Sequence, residues 1–192
     1  MKLTLKNIGK IGTASVEING ITVIAGENNT GKSTVGKALY CLFSAFHDID
    51  DKINEERTLS VYRTIWDSFR KRHVNISVNH LRTMVDEICK ERTEYIENTD
   101  ELRKYLERIY EASNPHDIFM ENIADDSIDE IFYKVLSYLK LEDNTIKALV
   151  LRKILLTEFN MQISHVNAQK SLSSMVLEFH GEKSIDVEVT NN

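Results

Sequence analysis

The sequence is poor in residues that interrupt helices, since it has one proline and seven glycines among 192 residues. This scarcity argues against a loop-rich β fold and favours helices. Cysteine is also scarce, because Cys41 and Cys89 are the only two and lie far apart in apolar helical patterns. Two isolated cysteines form neither a disulfide framework nor a zinc site. We therefore expect buried thiols in a reducing compartment.

The sequence also lacks a basic excess, because its formal net charge is −6. This balance argues against a chain that coats nucleic acid through bulk electrostatics. The only dense basic run, FRKRH at residues 69–73, is interpreted as a solvated helix face, with a local basic patch as the alternative. No apolar run approaches the roughly eighteen residues that cross a bilayer, and the N-terminus has no signal-peptide core. We expect a cytoplasmic protein without a membrane partner.

Alternating strands open the chain. Residues 2–7 alternate polar and apolar side chains, which predicts a half-buried strand, and the alternation resumes at 15–18. The pair Asn19-Gly20 then predicts a tight hairpin turn. Residues 21–25, ITVIA, form a continuous apolar or β-branched run, which predicts a strand buried on both faces.

Helical periodicity follows from Ser33 and continues through most of the next 110 or so residues. The polar stretch NTDE at 98–101 predicts a break between two helices. Asn114-Pro115 predicts a further helix start, since a cap residue precedes a proline at the first helical position. Ser127 and Glu130 have the spacing of a capping box, which predicts the start of another helix.

The last predicted helix runs from about 144 to 159, and the period then returns to two. Residues 175–179 and 185–189 alternate on either side of the turn sequence HGEK, which predicts an antiparallel hairpin with one wet face. The fold class is therefore α/β (α+β), with strands at both ends of a helical block.

Residues 26–34, GENNTGKST, match the pattern GxxxxGK(S/T) between a predicted strand and a predicted helix, which is the P-loop. Backbone N–H groups of such a loop converge on phosphate oxygens, and the following helix adds partial positive charge there. Lys32 is expected to reach the β- and γ-phosphates and to serve catalysis, and the Ser33 hydroxyl is expected to bind Mg²⁺. The predicted nucleotide-binding residues are Gly26, Asn28, Asn29, Thr30, Gly31, Lys32, Ser33 and Thr34.

The asparagines of this loop carry separate expectations. Asn29 stands where glycine is common, and asparagine tolerates left-handed backbone angles. Asn28 is expected either to approach the γ-phosphate or the attacking water, or to bond the loop to itself. Glu27 is expected to face outward, because a carboxylate beside phosphate is unfavourable.

The stretch LTLKNIGKIGTASVEINGITVIAGENNTGKST, with two strands and a hairpin signal before the loop, resembles the ABC-type ATPase heads of the SMC, RecF and OLD (overcoming lysogenization defect) families. The resemblance covers about the first 45 residues and indicates the N-terminal lobe of an AAA-family P-loop ATPase. It implies ATP and Mg²⁺ binding, head-to-head dimerisation through nucleotide, and roles in DNA repair, DNA processing or phage defence. DNA or an effector protein is the further partner that it implies.

The family resemblance also implies a division of the chain. The ATP-binding lobe comprises 1–46 and 160–192, and the helical block at 47–159 is an insertion. That block is either an arm that contacts DNA or a partner, or a packed subdomain. The resemblance further implies a glutamine that helps to hold Mg²⁺, for which Gln162 is the candidate and Gln169 the substitute; an ordinary surface glutamine is the alternative.

The sequence departs from the family in two motifs. It has neither an apolar strand that ends in Asp-Glu nor a segment resembling LSGGQ. The acidic run ADDSIDE at 124–130 follows no apolar strand and is interpreted as a helix start. We expect the N-terminal lobe of a longer ATPase, or a small protein that a partner completes, which binds nucleotide weakly and hydrolyses it poorly alone.

Two other functions use the same loop. One is a phosphotransferase acting on a small substrate, for which Arg57, Arg63, Arg70 and Arg72 are available as lid residues. The other is a non-catalytic module in which nucleotide occupancy sets an interaction surface. Phosphate release that depends on DNA or a second protein would indicate the ATPase. Transfer to a metabolite would indicate the phosphotransferase, and an absence of turnover would indicate the module.

Overall fold

The computed structural model describes residues 1–113, 124–164, 172–179 and 184–189. The elements in chain order are β1 (Lys2–Ile8), β2 (Ile11–Glu17), α1 (Lys32–Phe46), α2 (Ile49–Lys71), α3 (Val78–Lys90), α4 (Arg92–Glu97), α5 (Thr99–Ser113), α6 (Ala124–Lys140), α7 (Asp143–Glu158), β3 (Ser173–Glu178) and β4 (Ser184–Val189). The molecule is therefore a mixed α and β protein, as the sequence predicted. No described helix combines the length and the apolar character that a membrane span requires.

The four described strands form one antiparallel sheet in the order β2-β1-β3-β4. Leu3 lies opposite Val16 on one side and Leu177 on the other, so the two ends of the sequence meet in the sheet. The alternation in β1 buries Leu3 and Leu5 completely. The predicted strand at 2–7 and the predicted C-terminal hairpin are confirmed; the turn sequence at 180–183 lies outside the described residues.

Two sequence-based expectations about the N-terminal strands are wrong. The second strand begins at Ile11, because Gly9 and Lys10 make the turn, and not at residue 15. Residues 21–25 form no strand, and Ile21 and Val23 are 95% and 82% exposed. A run of apolar residues becomes a buried strand only where neighbouring strands supply hydrogen bonds and cover, and no described strand pairs with this segment. Asn19-Gly20 is thus a bend without a hairpin.

The chain divides into two compact units. The sheet unit comprises Met1–Ile49 and Ala148–Asn192, and the helical unit comprises Asp50–Lys147. The sequence-based boundary at 159 differs, since the second half of α7 belongs to the sheet unit. Leu151, Leu155 and Phe159 are buried there in one cluster with the strands and α1.

The helical unit has its own core, built from one face of each of its amphipathic helices. The predicted break at residues 98–101 is confirmed, because α4 ends at Glu97 and α5 begins at Thr99. The predicted capping box is wrong: α6 already begins at Ala124, so Ser127 lies inside the helix. The Glu130 carboxylate instead accepts hydrogen bonds from Arg72 and Lys134. The predicted helix start at Asn114-Pro115 lies outside the described residues.

A buried arginine closes the end of α6. Arg57 of α2, whose side chain is 3% exposed, donates to the carbonyls of Tyr138 and Leu141 and to the Asp143 carboxylate. Arg92 donates to the carbonyl of Leu139 at 2.6 Å. The last carbonyls of a helix lack the usual intrahelical donors, and these arginines supply charged donors to them, alongside the Leu141 N–H that donates to Tyr138 at 3.4 Å. The hydrogen bond from Arg57, followed by the positive charge of Arg57, also lowers the pKa of Asp143.

Candidate functional site

Residues 26–34, here called the phosphate loop, lead from the exposed segment 21–25 into α1. Gly31 is the N-cap of α1 with φ 93 and ψ 8, and its carbonyl accepts the N–H of Thr34 at 3.0 Å. This φ lies in the left-handed region, which glycine adopts without strain. A side chain at position 31 would also collide, because a Cβ there would come within 2.9 Å of Ile11 Cγ1. Glycine is thus required at position 31, both by its left-handed backbone and by the nearby Ile11 side chain of β2.

The loop closes on itself through its own side chains. The Thr30 hydroxyl donates to the carbonyl of Glu27 at 2.9 Å. The Lys32 ammonium donates to the carbonyl of Gly26 at 2.7 Å and to that of Glu27. The lysine therefore turns back over the loop from the first residue of α1. Phosphate oxygens are stronger acceptors for an ammonium than neutral carbonyls, so this side chain is placed to exchange one set of acceptors for the other.

Backbone donors line the same loop. The turn at residues 28 and 29 directs the Thr30 N–H toward the Glu27 carbonyl, and no acceptor within the described residues receives the N–H groups of 28, 29 and 31. The N–H groups of Lys32 and Ser33 belong to the first turn of α1, where an α-helix offers no acceptor. A cluster of unpaired N–H groups at a helix N-terminus favours anions, and phosphate above all. The loop is chemically equipped to hold a phosphate group.

The two loop asparagines differ in their hydrogen bonds. Asn29 has φ 70, in the left-handed region that asparagine tolerates. Its side-chain oxygen accepts a hydrogen bond from the Lys10 ammonium, so Asn29 is the asparagine that ties the loop to the rest of the unit. Asn28 is exposed and forms no side-chain hydrogen bond within the described residues. Its side chain remains available at the loop surface.

Sequence reasoning missed Lys10. This residue lies in the turn between β1 and β2, and its ammonium reaches the phosphate loop across 19 positions of sequence. A turn lysine has no motif of its own, so no local signal distinguishes it from a solvated lysine. Lys10 and Lys32 thus bring two positive charges to the same loop, and both would favour an anion bound there.

Gln162 lies just beyond the end of α7, and its neighbour Ile163 is linked to α1 through Gly9. Its side chain is exposed, and its N–H donates to the carbonyl of Phe159 at 2.9 Å. The next carbonyl, that of Ile163, accepts the N–H of Gly9 at 2.7 Å. Gly9 in turn lies against α1, because a Cβ on it would come within 3.2 Å of Thr34 Cγ2. The substitute candidate, Gln169, lies outside the described residues.

The oxygen atoms at this site suit Mg²⁺ that is bound together with phosphate oxygens and water. Within the described ranges, no group of three or more His, Cys, Asp or Glu side chains could hold a metal ion. Ser33 is exposed in the first turn of α1, next to Lys32, and offers one hydroxyl oxygen. Mg²⁺ commonly keeps several waters and takes phosphate oxygens together with one or two protein ligands. The residues present fit Mg²⁺ bound together with a nucleotide better than a preformed metal site.

Comparison with known proteins gives one finding. A family model described as an AAA domain matches residues 2–184, which is nearly the whole chain. No curated protein and no solved structure gives a significant match. The match extends over the phosphate loop, the helical unit and β3, and it ends at the first residue of β4.

Proposed function

The chain belongs to the AAA domain family of P-loop ATPases, and we propose that it is the ATP-binding part of an ATPase of the SMC, RecF and OLD type. The observation that carries this proposal is the turn of main chain at 26–31, which presents unpaired N–H groups beside the Lys32 ammonium. Triphosphate is the ligand whose charge and spacing of oxygens suit both features.

Each loop residue has a role in this proposal. The N–H groups of 28, 29 and 31 hold the β-phosphate, and Lys32 bridges the β- and γ-phosphates as a point charge. The Ser33 hydroxyl and the Gln162 side-chain oxygen are ligands of Mg²⁺, together with phosphate oxygens and water. Bound Mg²⁺ would neutralise charge on the phosphates, and the chain's own residues orient them. Asn28, free at the loop surface, faces the γ-phosphate or the water beside it.

Isothermal titration with ATP and Mg²⁺ tests the binding claim. Lys32→Ala removes a charged hydrogen-bond donor, which is expected to weaken affinity by roughly 10- to 100-fold, since such bonds contribute about 1.5–3 kcal/mol. Lys71→Ala is the matched control, because Lys71 is an exposed lysine in the last turn of α2. Equal heats for wild type and Lys32→Ala would refute nucleotide binding by this loop.

A second polypeptide segment is proposed to complete the ATPase. Residues 21–25 are mostly apolar and pair with no strand of the described sheet, and Ile21 and Val23 present most of their side chains to water. An exposed, unpaired apolar segment of this kind would gain backbone hydrogen bonds and cover from an added strand. In the families that the sequence resembles, an apolar strand ending in Asp-Glu carries the catalytic acids, and residues 1–192 contain no such motif. The added segment, from the same protein or a partner, would therefore supply both cover and catalytic groups.

Phosphate release distinguishes binding from turnover. We expect the chain alone to bind ATP and to release phosphate no faster than Lys32→Ala does. In the complete ATPase we propose nucleotide-dependent head-to-head dimers, a cytoplasmic location, and DNA or an effector protein as the partner. Turnover by the isolated chain above the Lys32→Ala background would contradict the need for a second lobe.

A further inference from the structure

Lys37 joins the helix of the phosphate loop to the end of α7. It lies on α1 four residues after Ser33, and therefore one turn further along the same face. Its ammonium donates to the carbonyl of Glu158 at 2.6 Å and lies 6.0 Å from the centre of the Phe159 ring. Glu158 is the last residue of α7, where unpaired carbonyls and the negative end of the helix dipole favour a cation.

The backbone between this contact and Gln162 is fixed by short-range hydrogen bonds. The N–H of Met161 donates to the carbonyl of Leu156 at 2.8 Å, and that of Gln162 to Phe159 at 2.9 Å. Asn160 and Met161 both have positive φ, which turns the chain tightly after the helix. Gln162 is therefore separated from the Glu158 carbonyl, which accepts the Lys37 hydrogen bond, by only a few residues of hydrogen-bonded backbone.

A second anchor lies on the other side of Gln162. The Ile163 carbonyl accepts the N–H of Gly9, which itself lies against Thr34 of α1. Gln162 is thus held from both sides by contacts that lead back to α1, the helix that begins with Lys32 and Ser33. Apolar packing of Leu155 and Phe159 against α1 also holds the end of α7, but the Lys37 contact is the polar one and can be removed by changing one side chain.

From this geometry we propose that Lys37 is a positioning residue, which holds the end of α7 against α1 and so sets the place of Gln162 relative to Ser33. The inference rests on the proposed function, since it concerns the two residues assigned to Mg²⁺. Loss of the Lys37 contact should weaken the Mg²⁺-dependent part of nucleotide binding and leave the Mg²⁺-independent part unchanged.

The test measures ATP affinity of the full chain in excess EDTA and over a Mg²⁺ titration. Lys37→Met keeps the aliphatic stem and removes the donor. We expect its affinity in EDTA to stay within about twofold of wild type. Its half-saturating Mg²⁺ concentration should rise by up to about tenfold, the lower end of the cost of losing a direct partner of a metal ligand, because Lys37 acts on Gln162 only through the backbone. Lys37→Arg keeps a donor and should restore most of the Mg²⁺ response.

Gln162→Ala, alone and combined with Lys37→Met, completes a double-mutant cycle. It should raise the half-saturating Mg²⁺ concentration at least as far as Lys37→Met, and the double variant should be no worse than Gln162→Ala alone, because both changes act through one group. An equal loss of affinity with and without Mg²⁺ in Lys37→Met would overturn the proposal, as would additive effects in the double variant. Lys37→Gln, too short to reach Glu158, replaces Lys37→Met if that variant unfolds. Absence of ATP binding by wild type would refute the proposed function instead.

Discussion

At the scale of single residues, the N-cap glycine of α1, Gly31, and the glycine inside that helix, Gly36, are under opposite constraints. Gly31 combines positive φ with a neighbour, Ile11, that a Cβ would meet at 2.9 Å. Gly36 lies within the helix, and a Cβ there would meet no atom within 4 Å. Glycine is therefore necessary at the first position and costs stability at the second, since glycine in a helix interior is less favourable than alanine by about 1 kcal/mol.

Alanine substitutions at these glycines should move stability in opposite directions. Gly31→Ala should lower the free energy of unfolding by at least about 1–2 kcal/mol, from the left-handed backbone alone, and more from the collision with Ile11. Gly36→Ala should raise it by roughly 0.5–1 kcal/mol. Urea unfolding followed by circular dichroism measures both. A stabilising Gly31→Ala would contradict the backbone geometry given for the loop.

A second residue-scale effect concerns the thiol of Cys41, which is completely buried on α1. Burial, and then the carboxylate of Glu158, raise the pKa of Cys41 from 9.0 to about 11, while Lys37 acts in the opposite sense. The folded state therefore holds the thiol proton more tightly than the unfolded chain does. The resulting stability is fully present below pH 9 and is lost as the pH rises from 9 to about 11.

This difference in pKa predicts how Cys41→Ala behaves with pH. The free energy of unfolding of wild type minus that of Cys41→Ala should be constant between pH 7 and 8.5. Above pH 9 it should fall by up to about 1.4 kcal/mol per pH unit. Taking the difference removes the contribution of other titrating groups. A difference that rises above pH 9 would show that the thiolate, not the thiol, is favoured in the folded state.

At the scale of elements, the local pattern of apolar residues was sufficient to predict several helices and strands correctly. The strand β1, the β3–β4 hairpin and the helix after Ser33 follow from alternation and from three- and four-residue spacing. The strand predicted at residues 21–25 was wrong because an apolar run indicates only a tendency to be buried. A strand also needs a neighbouring strand to pair with, and the described sheet offers none to this segment. The loop glycines could be predicted from the motif; the bond from Lys10 to Asn29 could not, since it joins distant positions.

Arg57 gives an element-scale prediction, because this one side chain of α2 donates hydrogen bonds to carbonyls at the C-terminal end of α6. Arg57→Met should lower the free energy of unfolding of the helical unit by about 1–3 kcal/mol, since the carbonyls of Tyr138 and Leu141 lose a charged donor and keep only the 3.4 Å hydrogen bonds from the Leu141 N–H and from Arg92. Asp143 is largely exposed and can be hydrated once its partner is gone. The single tryptophan, Trp66, packs against the core of this unit and reports its unfolding by fluorescence.

The control for Arg57→Met is Arg63→Met on the same helix. Arg63 is exposed, so its removal should change the free energy of unfolding by less than about 0.5 kcal/mol. Similar losses for the two variants would mean that the buried contacts of Arg57 contribute no more than general charge effects.

At the scale of the whole molecule, the chain has two hydrophobic cores built from different residues. The core of the sheet unit joins the strands to α1 and the end of α7, and the core of the helical unit joins α2 to α6. The phosphate loop, Gln162 and the proposed positioning residue Lys37 all belong to the sheet unit. A ligand that binds only the folded sheet unit stabilises that unit against unfolding.

Hydrogen exchange with and without ATP and Mg²⁺ should therefore distinguish the units. At a ligand concentration about 100 times the Kd, linkage contributes about 2.7 kcal/mol, so amides of β1 and β3 should exchange roughly 100-fold more slowly. Amides of α3 and α5, which lie in the helical unit, should exchange at unchanged rates if the two units open independently. Lys32→Ala with the same ligand should show no protection. Equal protection of both units would mean that they unfold as one cooperative structure, and nucleotide bound at the loop would then act on the helical block as well as on its own unit.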